Sequence, residues 1–172
     1  MGDAARYVAR SSPIVLGIIS LFSLIVACIT SYLVAKGNGH EGYVNNSYRD
    51  RTRFLMFVGW WTFLTSIVYI VAFFVSAMSV VASVLSHLIY ISITWVFWLC
   101  GAASYAAMMG GGAHCGQPGA PPHCSHYVAA EAFAWINFIL LSVCLAILIA
   151  MTIAGTRRGD RLTSSFIDAA NA

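Results

Sequence analysis

The sequence predicts an all-α membrane protein: a bundle of four transmembrane helices joined by short loops, with both termini in the cytoplasm. Three observations predict it. Apolar residues make up 60% of the chain and charged ones 9%, whereas soluble domains carry about a quarter charged residues, so this composition cannot cover a water-facing surface. No Asp, Glu, Lys or Arg stands between Arg53 and Glu131. The other charges divide the chain into uncharged runs of the roughly 20 residues a helix needs to cross about 30 Å of hydrocarbon. These runs are apolar all round, which excludes the alternating pattern of a β-barrel.

The first span covers residues 14–35. Ser11, Ser12 and Pro13 precede it as a capping and first-turn signature, and Lys36, Gly37, Asn38 and Gly39 stop it. A cleaved signal peptide with Arg6 and Arg10 as its basic start is the alternative, but the run exceeds the apolar core of about 7–15 residues typical of such segments. Residues 54–109 are long enough for two crossings and a tight reversal, and Ser79, Ser83, Ser86 and His87 place that reversal at residues 79–86. The second span is then 54–78 and the third 87–109, ended by Gly110, Gly111 and Gly112. The fourth, 128–154, follows a loop with Pro118, Pro121 and Pro122 and stops at Gly155, Arg157 and Arg158. Residues 1–13 and 155–172 remain as cytoplasmic tails around the membrane domain 14–154.

The positive-inside rule is nearly balanced, with Arg6, Arg10, Arg157, Arg158 and Arg161 against Lys36, Arg49, Arg51 and Arg53. Two loop features decide the orientation. Asn45-Asn46-Ser47 is an N-glycosylation triplet, usable only on the lumenal or extracellular side. Cys115 and Cys124, the two cysteines outside the spans, read as a disulfide of an oxidising compartment. Both put the first and third loops outside.

That third loop also offers His114, His123 and His126 beside the cysteines, a set able to hold zinc, although it lacks the paired Cys-x-x-Cys spacing. Gly116, Pro118, Gly119, Pro121 and Pro122 instead favour a compact turn that brings the sulfurs together. Disulfide leads, with zinc and free thiols as the alternatives. Cys28, Cys100 and Cys144 lie within spans and read as small packing residues.

Glu131 is the single acid of the apolar part, and a charge inside a span is a functional-site hypothesis by default. Arg51 and Arg53 stand at comparable height on the second helix, so the leading expectation is an ion pair locking helices two and four, and the alternative is a carboxylate near the interface that snorkels or stays hydrated. A proton or ion relay would need further inward polar groups, for which only His87 and Asn137 are at hand. Trp60, Trp61 and Trp135 suit an interfacial belt, and the deeper Trp95 and Trp98 suit packing. Gly101, Ala102, Ala103, Ala106 and Ala107, with Ala130 and Ala134, permit close helix approach. Arg157, Arg158 and Arg161 would attract anionic lipid by about 1 kcal/mol each, a pull that phosphate on Ser164 or Ser165 would oppose. A sterol pattern runs through Arg51, Phe54 and Val58.

The short second loop, the cysteine pair before the last helix, and the stretches Arg51-Thr52-Arg53-Phe54-Leu55-Met56-Phe57-Val58-Gly59-Trp60-Trp61-Thr62, Trp95-Val96-Phe97-Trp98-Leu99-Cys100-Gly101-Ala102-Ala103 and Ala129-Ala130-Glu131-Ala132-Phe133-Ala134-Trp135 resemble a MARVEL-domain protein, most closely the small fungal members. The likeness covers residues 13–154. It implies membrane organisation, vesicle traffic or membrane apposition, and it carries over no catalytic residues because that family shares no reaction. Tetraspanins, claudins and disulfide oxidases fit less well, for want of their cysteine motifs. The expectation is therefore a non-enzymatic protein of the plasma or secretory-pathway membrane, with no cofactor or metal. Its expected partners are membrane lipids including sterol, copies of itself and other membrane proteins, and not nucleic acid. The alternative is a small channel or transporter, which would need a continuous polar lining.

Overall fold

The computed structural model describes residues 2–39, 42–75, 84–110, 115–116 and 120–156, with side chains over 14–39, 42–71, 86–110, 115–116 and 120–154. Its elements are four helices, α1 (Gly2–Asn38), α2 (Asn46–Val75), α3 (Val84–Met108) and α4 (Cys124–Thr156). Each contains a stretch long and apolar enough to cross a membrane: Ile14–Asn38, Asn46–Val71, Ser86–Met108 and Cys124–Ala154. The expected number and order of spans are met. The expected reversal lies mostly outside the described residues, with Ser79 and Ser83 among those omitted, while Ser86 and His87 already belong to α3.

The helix starts differ from expectation for local reasons. α1 runs back to Gly2, so Ser11, Ser12 and Pro13 do not begin it. Ala and Arg, good helix formers, fill much of its first turns. α2 begins at Asn46 rather than residue 54, because Asn45 Oδ1 accepts the Tyr48 N–H at 3.1 Å and caps the helix. α4 begins at Cys124 rather than residue 128. There His123, at φ 59°, turns the chain into the helix, and its carbonyl accepts from the His126 and Tyr127 N–H groups at 2.9 and 3.4 Å. The glycine stop of α3 is met at Gly110, whose φ of 70° is the left-handed conformation that ends a helix.

Each helix packs against its neighbours in sequence, and α1 against α4 closes the ring. α2 and α4 are consequently diagonal. The core is built from Ile19, Val26 and Leu33 of α1, Leu55 and Val58 of α2, Trp98, Ala102 and Tyr105 of α3, and Ala130, Ala134 and Leu141 of α4. α1 and α2 approach closely at Gly59, where a Cβ would stand 3.0 Å from the Ala27 backbone nitrogen.

Polarity is turned inward. Ser23, Thr30, Thr52, Thr62, Ser66, Thr94 and Asn137 are wholly buried, while Ile14, Leu64, Val68, Ile93, Ile139 and Val143 lie on the outer surface. That is the arrangement a helix bundle takes when its solvent is hydrocarbon, since a hydroxyl finds partners only inside. α4 is the least covered of the four spans.

Candidate functional site

Two regions gather the polar chemistry of the bundle. At the end where α1, α3 and α4 meet the first and third loops, Cys115 and Cys124 are joined in a disulfide, their Cα atoms 5.6 Å apart. The bond ties the loop leaving α3 to the first residue of α4, and it uses the sulfurs that zinc would have needed. No metal-holding group of three His, Cys, Asp or Glu occurs among the described residues, and His114 lies outside them. His123 and His126 face Tyr32 of α1 instead, with ring centroids at 5.6 and 5.1 Å. Lys36 Nζ stands 5.9 Å from the same ring.

Beside them is a collar of tyrosines. The Tyr48 and Tyr105 rings lie 5.4 and 6.1 Å from that of Tyr127, and Thr52 Oγ1 hydrogen-bonds the Tyr105 hydroxyl at 3.2 Å. Tyr43 covers Gly37, where any side chain would collide with its ring, and it donates to the Val34 carbonyl at 3.2 Å.

The expected ion pair is not made. Arg51 donates to the Ser104 carbonyl of α3 at 2.8 Å and Arg53 to Asn38 Oδ1 of α1 at 2.9 Å. Among the described residues Glu131 forms no ion pair with either. Both arginines are engaged by the helices beside α2, Arg51 by α3 and Arg53 by α1, rather than by α4. Glu131 is half-buried and within electrostatic reach of Tyr105. The ion pair that α2 does carry, Arg49 with Asp50 at 3.0 Å, is exposed, and such pairs contribute little.

The second region is a seam of hydroxyls and aromatics between α2 and α3. Trp98 Nε1 donates to Thr62 Oγ1 at 3.0 Å. Thr65 Oγ1 donates to the Tyr90 hydroxyl at 2.9 Å, and Ser66 Oγ shares that hydroxyl at 3.3 Å. Tyr69 stacks on Tyr90 at 4.5 Å and bonds Ser86 Oγ at 3.0 Å. Similar bonds tie two other helix pairs, α3 to α4 from Trp95 Nε1 to Ser142 Oγ at 2.7 Å and α2 to α1 from Trp60 Nε1 to Ser31 Oγ at 3.2 Å. Buried Leu55, Val58 and Ala102 occupy the levels between the seam and the tyrosine collar.

Other expected sites are placed or displaced by the same packing. Val58 is wholly buried, so Arg51, Phe54 and Val58 cannot present one face to a sterol. Cys28 and Cys100 lie on the outer surface rather than in the packing, and Cys144 is intermediate. Asn45 spends its side-chain oxygen on the α2 cap. Arg157, Arg158, Arg161, Ser164 and Ser165 lie outside the described residues. The hydroxyl seam was not foreseen from sequence; its one signal is the recurrence of Thr62, Thr65 and Ser66 opposite a run containing Tyr90 and Trp98.

A family model described as MARVEL, a membrane-associating domain, matches residues 7–147. No curated protein matches the chain significantly.

Proposed function

Because the chain belongs to the MARVEL family of membrane-associating domains, we propose that this multi-pass integral membrane protein organises a membrane region as a non-enzymatic tetraspan. It does so by packing with lipids, with copies of itself or with partner membrane proteins, in the plasma membrane or the secretory pathway. The observation that carries this reading is the division of labour in the bundle. Polar side chains bond helix to helix inside, and the outer surface is left to aliphatic contact. On α4, the least covered helix, the large exposed residues are Val128, Ile136, Ile139, Val143, Ile147, Ile149 and Ile153. All are β-branched, so they lose little rotamer freedom when another helix packs on them.

In this reading both termini are cytoplasmic and the disulfide loop is outside, the side on which such a bond persists. A channel is the less favoured reading. Its polar lining would have to be continuous, and Leu55, Val58 and Ala102 stand between the two hydroxyl clusters. A cysteine cross-linking experiment tests association: Ile139→Cys and Val143→Cys, each in a chain with Cys28, Cys100 and Cys144 replaced by Ala, are oxidised in native membranes. Dimers from these sites and none from buried Leu141→Cys support the reading. Equal yields at all three, or none at any, count against it.

A further inference from the structure

Most buried hydroxyls of this bundle bond to the carbonyl one turn back in their own helix. Ser23 does so to Ile19, Thr30 to Val26, Thr52 to Tyr48 and Thr62 to Val58, at 2.6 to 2.9 Å. Thr94 does not. It is wholly buried, the Tyr90 phenol lies close enough to interact with it, and its Oγ1 meets no partner at hydrogen-bond geometry. On α4, Asn137 is also wholly buried; its Nδ2 donates to the Phe133 carbonyl at 3.3 Å, which fixes the amide, and its Oδ1 is left unpartnered.

The two orphans belong to one layer. Trp95 and Phe138 touch across α3 and α4, with ring centroids 5.4 Å apart. Thr94 and Asn137 are the residues immediately before these, and they are wholly buried where Trp95 and Phe138 are half-buried. Both therefore point from the α3–α4 contact into the bundle. An unsatisfied carbonyl oxygen or hydroxyl at this depth costs several kcal/mol, because hydrocarbon supplies no substitute partner.

We propose that a water molecule is bound in this layer, donating to Asn137 Oδ1 and accepting from Thr94 Oγ1. Water is the ligand that fits. The site asks for one molecule that is donor and acceptor at once, it is closed to lipid, and it holds no carboxylate to balance a cation, which would also want six or more oxygens. Tyr90 beside Thr94 provides a third polar neighbour, the usual complement of a buried water. The water would join α3 to α4 through the membrane interior as the disulfide joins them at their end.

The test uses the full chain in lipid nanodiscs, with ¹⁵N-labelled asparagine and nuclear magnetic resonance of the Asn137 side-chain amide. A dipolar cross-peak to water is expected at that amide and is expected to be lost in Thr94→Val, which removes the hydroxyl and keeps the shape. Thermal stability is read in parallel for Thr94→Val, Asn137→Leu and the double variant, with a combined loss smaller than the sum of the two. Absence of the water cross-peak in the unaltered chain would overturn the proposal. So would its survival in Thr94→Val, or a gain in stability on Asn137→Leu, the mark of a dry and unsatisfied amide. Should Asn137→Leu not fold, the Thr94→Val spectrum decides alone.

Discussion

The indole nitrogen of Trp98 donates to the hydroxyl of Thr62 at 3.0 Å, and both side chains are wholly buried between α3 and α2. Thr62 in turn donates to the Val58 carbonyl at 2.9 Å, so the indole proton, the hydroxyl and a helix carbonyl form one chain. Interhelical hydrogen bonds in membranes contribute about 0.6 kcal/mol on average and up to about 1.7. This one belongs at the upper end, because removing the acceptor strands a buried N–H. Thr62→Val should lower stability by about 1–2 kcal/mol. Trp98→Phe in the same background should then cost less than it does alone, measured as a double-mutant cycle in detergent unfolding.

Gly59 and Gly17 make a matched pair. A Cβ on Gly59 would meet the Ala27 backbone nitrogen at 3.0 Å, whereas one on Gly17 meets nothing within 4 Å. Backbone cannot step aside as a side chain does, so Gly59→Ala should destabilise by about 1–3 kcal/mol through overpacking. Gly17→Ala should be neutral or stabilising by up to about 1 kcal/mol from helix propensity. Melting temperatures of the two variants in one detergent check both signs.

Arg53 and Glu131 serve different neighbours, so their removal should not be coupled. The losses from Glu131→Gln and Arg53→Gln should add within about 0.5 kcal/mol in the double variant. A double variant markedly more stable than that sum would restore the ion pair expected from sequence.

Asn45 caps α2 and also heads the glycosylation triplet, and substitution separates the two roles. Asn45→Asp keeps a capping oxygen and Asn45→Ala does not. The first should hold its stability within about 0.5 kcal/mol, and the second should lose about 1 kcal/mol. Both remove any glycan, so a glycan-dependent effect would lower stability equally in the two.

The disulfide is checked by thiol labelling. Without reductant the unfolded chain should take up label at Cys28, Cys100 and Cys144 alone, and after reduction at Cys115 and Cys124 as well. Closing so short a loop constrains the unfolded chain by about 2–3 kcal/mol, and Cys115→Ser with Cys124→Ser should lower stability by that order.

The number and order of the spans are legible in the sequence because a charge is costly to bury in hydrocarbon, so the gaps between charges mark the crossings. Helix ends are less so. The first turns of α2 contain Asn46, Ser47, Arg49, Asp50 and Arg51, which read as loop until the Asn45 cap is seen. The cysteine pair is legible because Gly116, Pro121 and Pro122 bend the intervening chain and no other cysteine lies outside a span. The Arg53 and Glu131 pairing is not. Sequence gives the height of a residue along its helix, whereas the ring order that puts α2 and α4 on a diagonal arises from packing, including the close approach of Gly59 and Ala27. The seam of Thr62, Thr65, Ser66, Tyr90 and Trp98 escapes for the same reason, since each hydroxyl alone is compatible with a bond to its own helix.

If this bundle works by lateral packing in a membrane, energy transfer between donor- and acceptor-labelled full-length chains in lipid vesicles reports that packing. Transfer should persist as the lipid-to-protein ratio is raised and should fall when Ile136, Ile139 and Val143 on the outer face of α4 are changed together to Leu, while the melting temperature holds. Transfer that drops with dilution as for chains mixing at random, and that is indifferent to those changes, would contradict it.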